Sequence, residues 1–302
     1  MHLGGYIHQE QFPGGLQCIA PLLEAAMVSP LVPNPKIVGL RILQSLAANS
    51  GNVRAITGTP SCVANITNLL DFHRHSMPTT SFKHDMPSVT AASASLVLIR
   101  RLVDQDFSLS GTPIIATDHS TFSVVIAATR RILICHLCDR SIQTEAMNML
   151  QCLLLLQPPG SSVSGWSELY GKIKIINVLR EVFALGRNDY SRQLAGEKLA
   201  MLSSELNAPI VFDQVKKFVA SLKGILADDA RDSEYGYGCR IQAARILKNL
   251  CSHSCSSYPS RYLQRLKEAL VHAVPQVCSI LSPLNCVSSN RIFPYPEPLE
   301  PD

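Results

Sequence analysis

Along most of the chain, apolar residues recur at helical spacing, and the strict alternation of a half-buried strand is nearly absent. Five segments carry one shared pattern: a small residue, an aliphatic four positions on, and a leucine three further on. They are Gly39, Leu43 and Leu46; Ser95, Ile99 and Leu102; Ala146, Leu150 and Leu153; Ala195, Leu199 and Leu202; and Ala243, Leu247 and Leu250. Spacings of i, i+4 and i+7 put all three on one helical face. The small residue lets a neighbouring helix approach, and the two aliphatics fill the layer between them. The anchors Leu43, Ile99, Leu150, Leu199 and Leu247 are 56, 51, 49 and 48 residues apart. A helix of this kind cannot bury its face alone, so near-even copies predict stacked units with a shared core.

Other helices fill the intervals. Asn34 before Pro35 is an N-cap followed by proline at the first helical position, and Thr59-Pro60 repeats the arrangement. A short helix is expected over Asn52–Thr57, a break at Gly58, and a second helix over Pro60–Leu70. Longer helices are expected over Ser120–Cys138, Lys172–Leu185, Pro209–Ala227 and Ser260–Leu281, with Pro275 kinking or ending the last. His73–Pro87, Asp104–His119 and Asp228–Gly238 are polar or rich in Gly and Pro, and read as connections. They lengthen the period beyond the roughly 40–47 residues usual for helical repeats of this size. The organisation expected is a flexible N-terminus over 1–14, one repeat domain over 15–282, and a Pro-rich disordered tail over 283–302.

At Gly39–Leu70 the residues GLRILQSLAANSGNVRAITGTPSCVANITNLL resemble an armadillo unit. They contain a third helix, a short first helix, a glycine, and a second helix entered through proline. IQAARILKNLCSH, over Ile241–His253, resembles another third helix. The C-terminal part is also similar to a group of large plant armadillo-superfamily proteins of unassigned function. The resemblance implies an all-α, right-handed α-solenoid of about five armadillo-like units, binding an extended partner segment in a concave groove lined by third helices. Importin-type members use a tryptophan there and an asparagine four residues later. The tryptophan positions here hold Arg41, Val97, Asn148, Glu197 and Arg245, and the asparagine positions Ser45, Arg101, Cys152, Met201 and Asn249. One asparagine and no tryptophan argue against nuclear-signal binding. The groove would instead present Arg41, Gln44, Arg100, Arg101, Gln151, Arg245, Lys248 and Asn249. Such a surface suits an acidic or extended peptide segment.

Composition narrows the picture. The 302 residues are 46% hydrophobic and 17% charged, enough apolar material for a large core. Aromatics are only 6%, with one tryptophan, Trp166, so the core must be aliphatic, which suits helix–helix packing. The net charge of +4 is spread along the chain and forms no basic stripe, so no nucleic-acid partner is expected. MHLGGYIHQEQFPGG lacks the features of a signal peptide, and arginine pairs interrupt the apolar runs, so no membrane span is expected. These features predict a cytoplasmic protein. The alternative is peripheral association with a membrane, as a regulatory fragment of a larger armadillo-repeat protein.

Candidate chemistry is sparse, and neither an enzyme nor a cofactor is expected. Of ten cysteines, most sit in apolar stretches read as helical, among them Cys18, Cys135, Cys138, Cys152 and Cys278. Cys135 and Cys138 form a CxxC, and Cys251 and Cys255 bracket His253. Together they are weak zinc-ligand candidates, and a zinc-binding protein is a further alternative. The expected long helix through Cys138 opposes both a zinc knuckle and a redox CxxC. His73, His75 and His84 lie in a loop with Asp71 and Asp85 and match no ligand spacing. In Asp118-His119-Ser120, Asp118 or Ser120 is expected to cap the following helix rather than to form a triad. The acidic run Asp228, Asp229, Asp232 and Glu234 lacks the pattern of a calcium loop. Asn65-Ile66-Thr67, a glycosylation sequon, falls inside an expected helix.

Overall fold

A computed structural model describes residues 14–25, 33–71, 86–110, 118–155, 165–186, 188–204, 215–227 and 234–253. Among these residues all regular structure is helical. The elements are α1 (Gly15–Glu24), α2 (Pro35–Leu46), α3 (Ser50–Thr57), α4 (Pro60–Asn68) with a 3-10 turn (Leu69–Asp71), and α5 (Met86–Ser110). They continue as α6 (His119–Ile134), α7 (Arg140–Leu155), α8 (Gly165–Leu185), α9 (Asp189–Ser203), α10 (Val215–Ala227) and α11 (Glu234–His253). The all-α class follows directly. Two compact units are present, Met1–Lys198 and Leu199–Asp302, and their boundary falls inside α9.

In the first unit the chain repeats a helix pair. α1 packs on α2, α4 on α5, and α6 on α7. Successive pairs stack, because α2 also packs on α5, and α5 on α7. The other row does the same through α1, α4, α6 and α8. The start of α9 joins α7 through the Tyr190 and Thr144 hydroxyls, 3.0 Å apart. In the second unit α10 packs on α11, and Asn249 of α11 reaches the last turn of α9.

The five small-aliphatic-leucine triplets form the buried seam of α2, α5, α7, α9 and α11. Thirteen of the fifteen residues are buried, while Leu46 and Leu202, near helix ends, are half-buried. A companion stripe three positions before each anchor is buried as well: Leu40, Leu96, Met147, Gly196 and Ala244. The seam is therefore wider than the triplet alone. Gly39 shows why its first position is small. A Cβ there would stand 3.1 Å from Leu23 and 3.3 Å from Leu22, so α1 lies against its backbone.

Local capping explains several boundaries. The Asn34 carboxamide accepts from the Lys36 N–H at 3.0 Å, with Pro35 behind it. Asn49 caps α3 in the same way, so α3 starts at Ser50 and not at Asn52. Thr59 occupies the N-cap of α4 but makes no cap bond, because its hydroxyl donates back to the Ala55 carbonyl at 2.8 Å. Asp118, not Ser120, caps α6, accepting from the N–H groups of Ser120 and Thr121.

Four expected boundaries are corrected. The connection expected from Asp104 is helical to Ser110, because Asp104 accepts from Cys152 of α7 and Asp106 is buried. α11 begins at Glu234 within the expected connection Asp228–Gly238, and its Gly236 is buried in the helix. α8 extends back through the buried Gly171 to Gly165. α6 stops at Ile134 instead of running to Cys138. Cys135 turns to φ −69° and ψ 125°, and Asp139 captures the Ile142 N–H at 3.0 Å to start α7. One segment among the described residues, Met86–Asp106, is long and apolar enough to cross a membrane by length and composition alone. Half of it is buried within the protein, and its small residues Ala91–Ser95 are packed or half-packed. The expected helix Ser260–Leu281, the tail 283–302 and the segment 1–13 lie outside the described residues.

Candidate functional site

Within each unit, the repeated helices present a polar side opposite their buried seam. On α2 it carries Arg41 and Ser45, both exposed, beside the partly exposed apolar residues Val38 and Ile42. Val38 and Ile42 are not distinguished in the sequence from ordinary seam residues.

Half of the predicted groove residues act between helices. The Gln44 amide donates to the Ala94 carbonyl of α5 at 3.0 Å. Arg101 returns the link, its Nη1 donating to the Gln44 carbonyl at 3.0 Å, although the side chain remains exposed. Arg100 pairs with Glu145 of α7 at 3.5 Å. In the second unit, Asn249 donates to the Ala200 carbonyl and the Ser203 hydroxyl, both at 3.0 Å. Gln151 is half-buried on α7. Arg41, in the first unit, and Arg245 and Lys248, in the second, point to solvent.

In the first unit, residues not anticipated as partners add further links between helices. Cys152 donates its thiol to Asp104 at 3.0 Å, and burial together with that carboxylate holds the thiol proton far above the ordinary cysteine range. Burial likewise pushes the Cys62 thiol up to about 11. On the other row, Arg131 pairs with Asp71 at 3.0 Å, Lys174 donates to the Ser123 hydroxyl at 3.2 Å, and Arg130 is held bidentately by Glu181. Asn65, the sequon residue, donates to Glu24 at 2.6 Å and to the Ala20 carbonyl at 3.3 Å. Most of these pairs lie one repeat apart in sequence. The period was legible, but which polar side chains meet depends on helix rotation.

The metal candidates fare differently. Cys135 and Cys138 occupy the turn between α6 and α7 and not a helix, with Cys138 buried and Cys135 half-buried. Among the described residues no group of three or more His, Cys, Asp or Glu side chains converges on a common point. Cys255, His73, His75, His84, Asp228, Asp229, Asp232 and Cys278 lie outside the described residues, as does the Cys251 side chain. Cys18, expected in an apolar stretch, is exposed on α1.

No family model, no curated protein and no solved structure matches the chain.

Proposed function

We propose that the chain is a non-catalytic interaction scaffold of armadillo-like helical-repeat type. It holds an extended, acidic segment of another protein along the polar side of its repeated helices, in the cytoplasm. One observation carries this reading. About one repeat apart, the Gln44 amide donates to the Ala94 carbonyl and the Arg101 guanidinium to the Gln44 carbonyl, binding the helices of the row to one another. Arg41 and Arg101 remain exposed on the same row. A row fixed in this way costs little ordering when a peptide lies across it, and its cations can pair with carboxylates.

The experiment is capture of partners by proximity labelling in the native cell, followed by binding of the recovered segment to purified protein. Arg41→Glu should weaken binding by about tenfold, a loss of ~1.4 kcal/mol for one reversed charge pair. Arg245→Glu tests the second unit in the same way. A partner indifferent to both reversals overturns the assignment of this face.

A further inference from the structure

The turn between α6 and α7 brings together two thiols for which the scaffold reading has no use. Cys135 closes α6, its N–H donating to the Arg131 carbonyl at 3.0 Å. Its own carbonyl accepts from the Gln143 side chain at 3.0 Å, so the turn is anchored to the first turns of α7. Residues 136–138 bend, and Asp139 then caps α7. The bend brings the Cys138 thiol into a hydrogen bond with Cys135. Cys138 is buried at 4% exposure, Cys135 is half-buried, and His136 and Leu137 are exposed between them.

We infer that Cys135 and Cys138 are a thiol–disulfide exchange site that closes reversibly to an intra-turn disulfide on reaction with a low-molecular-weight disulfide such as oxidised glutathione. The two cysteines divide the work by access. Cys135, the half-exposed one, attacks a glutathione sulfur, and the S–S bond of the oxidant breaks to release one reduced glutathione. Cys138 then attacks the Cys135 sulfur of the mixed disulfide and displaces the second glutathione. Two protein thiols lose two electrons, one disulfide gains them, and both thiol protons end on the two glutathiones. The hydrogen bond to Cys135, followed by burial and the nearby Asp139 carboxylate, raises the Cys138 thiol well above its ordinary range. Attack therefore starts from the half-exposed Cys135, the thiol that an oxidant can reach.

The test equilibrates the full-length chain in glutathione buffers of stepped ratio, traps thiols by alkylation, and maps the peptide spanning Ile132–Arg140 by mass. A Cys135–Cys138 disulfide should form in oxidising buffer and return fully to thiols in reducing buffer. Cys138→Ser should accumulate a glutathione adduct on Cys135, and Cys135→Ser should leave Cys138 unmodified. The wild-type mapping needs no variant to fold. If both cysteines remain alkylatable in the most oxidising buffer, or either is found bridged to a different cysteine, the inference is overturned.

Discussion

Two glycines at helix ends and interiors make opposite demands. At Gly186, which closes α8, an added Cβ would stand 2.4 Å from the Val182 carbonyl oxygen and 2.9 Å from Arg192. Arg192 is itself buried there, donating to the Phe183 carbonyl at 3.1 Å and pairing with Asp189, so neither neighbour can move cheaply. Gly224 lies in α10 with nothing within 4 Å of an added Cβ. We therefore expect Gly186→Ala to destabilise the fold by ~1–3 kcal/mol through overpacking. Gly224→Ala should stabilise it by ~1 kcal/mol through helix propensity alone. Urea midpoints followed by helical circular dichroism distinguish the two, and matching signs would contradict the packing at Gly186. Asp118 shows the same economy in a charged group. Bonds from the Thr121 and Ser120 side chains and then from the Ser120 N–H lower its pKa from 3.8 to about 2. A carboxylate depressed in the folded state stabilises above its unfolded value and loses that contribution as pH falls through its folded value. Asp118→Ala should cost ~1 kcal/mol at neutral pH, the usual loss of an N-cap. The gap between variant and wild type should narrow as pH falls from 3.8 to about 2. A gap unchanged at low pH would show that the carboxylate charge is not what caps α6.

Among the elements, the repeated helices differ in how fully their triplets are covered. Leu150 is completely buried between α7 and its neighbours, whereas Leu202, near the end of α9, is half-buried. Leu150→Ala should cost ~2–5 kcal/mol, the range for a buried leucine leaving a cavity, and Leu202→Ala distinctly less. Equal losses would mean that the triplets are not graded in this way. Ser95 separates the two demands of the small position. It is fully buried, and its hydroxyl has no hydrogen-bond partner among the described residues. Its size serves the packing of α5, but its polarity does not. Ser95→Ala should then raise stability by ~1 kcal/mol, by removing a buried, unsatisfied hydroxyl. Destabilisation by this substitution would indicate a bond that the packing conceals. The Arg130–Glu181 pair joins α6 to α8 but is 44% exposed on the arginine side and 31% on the glutamate side. A double-mutant cycle should find it contributing under ~1 kcal/mol.

For the whole molecule, two units divided inside α9 and no strand among the described residues define an all-helical protein, and far-UV circular dichroism should show helix without a strand component. The proposed partner surface is electrostatic, so binding of the recovered segment to purified protein should weaken as added salt shortens the Debye length below ~8 Å. Binding that is insensitive to salt would favour an apolar contact at Val38 and Ile42 instead. What the sequence determined by itself was the class, the period and the seam. A small residue at i, an aliphatic at i+4 and a leucine at i+7 must share a helix face in any environment, because that follows from 3.6 residues per turn. The Asn34-Pro35 start was legible for a similar reason, since capping is local. Tertiary structure decided the rest. Gln44, Arg100, Arg101 and Asn249 were all readable as exposed polar residues. Only the rotation of neighbouring helices turned them into links between helices and left Arg41, Arg245 and Lys248 to solvent. The same holds for Cys135 and Cys138. Their apolar neighbours continue a helical pattern, but the Asp139 cap and the Gln143 bond to the Cys135 carbonyl end the helix and place two thiols in one turn. A hydrophobic pattern records which side of a helix is buried; where α6 stops is set by a nearby cap that the pattern does not mark, and which polar groups meet across the gap depends on partners about a repeat away in the chain.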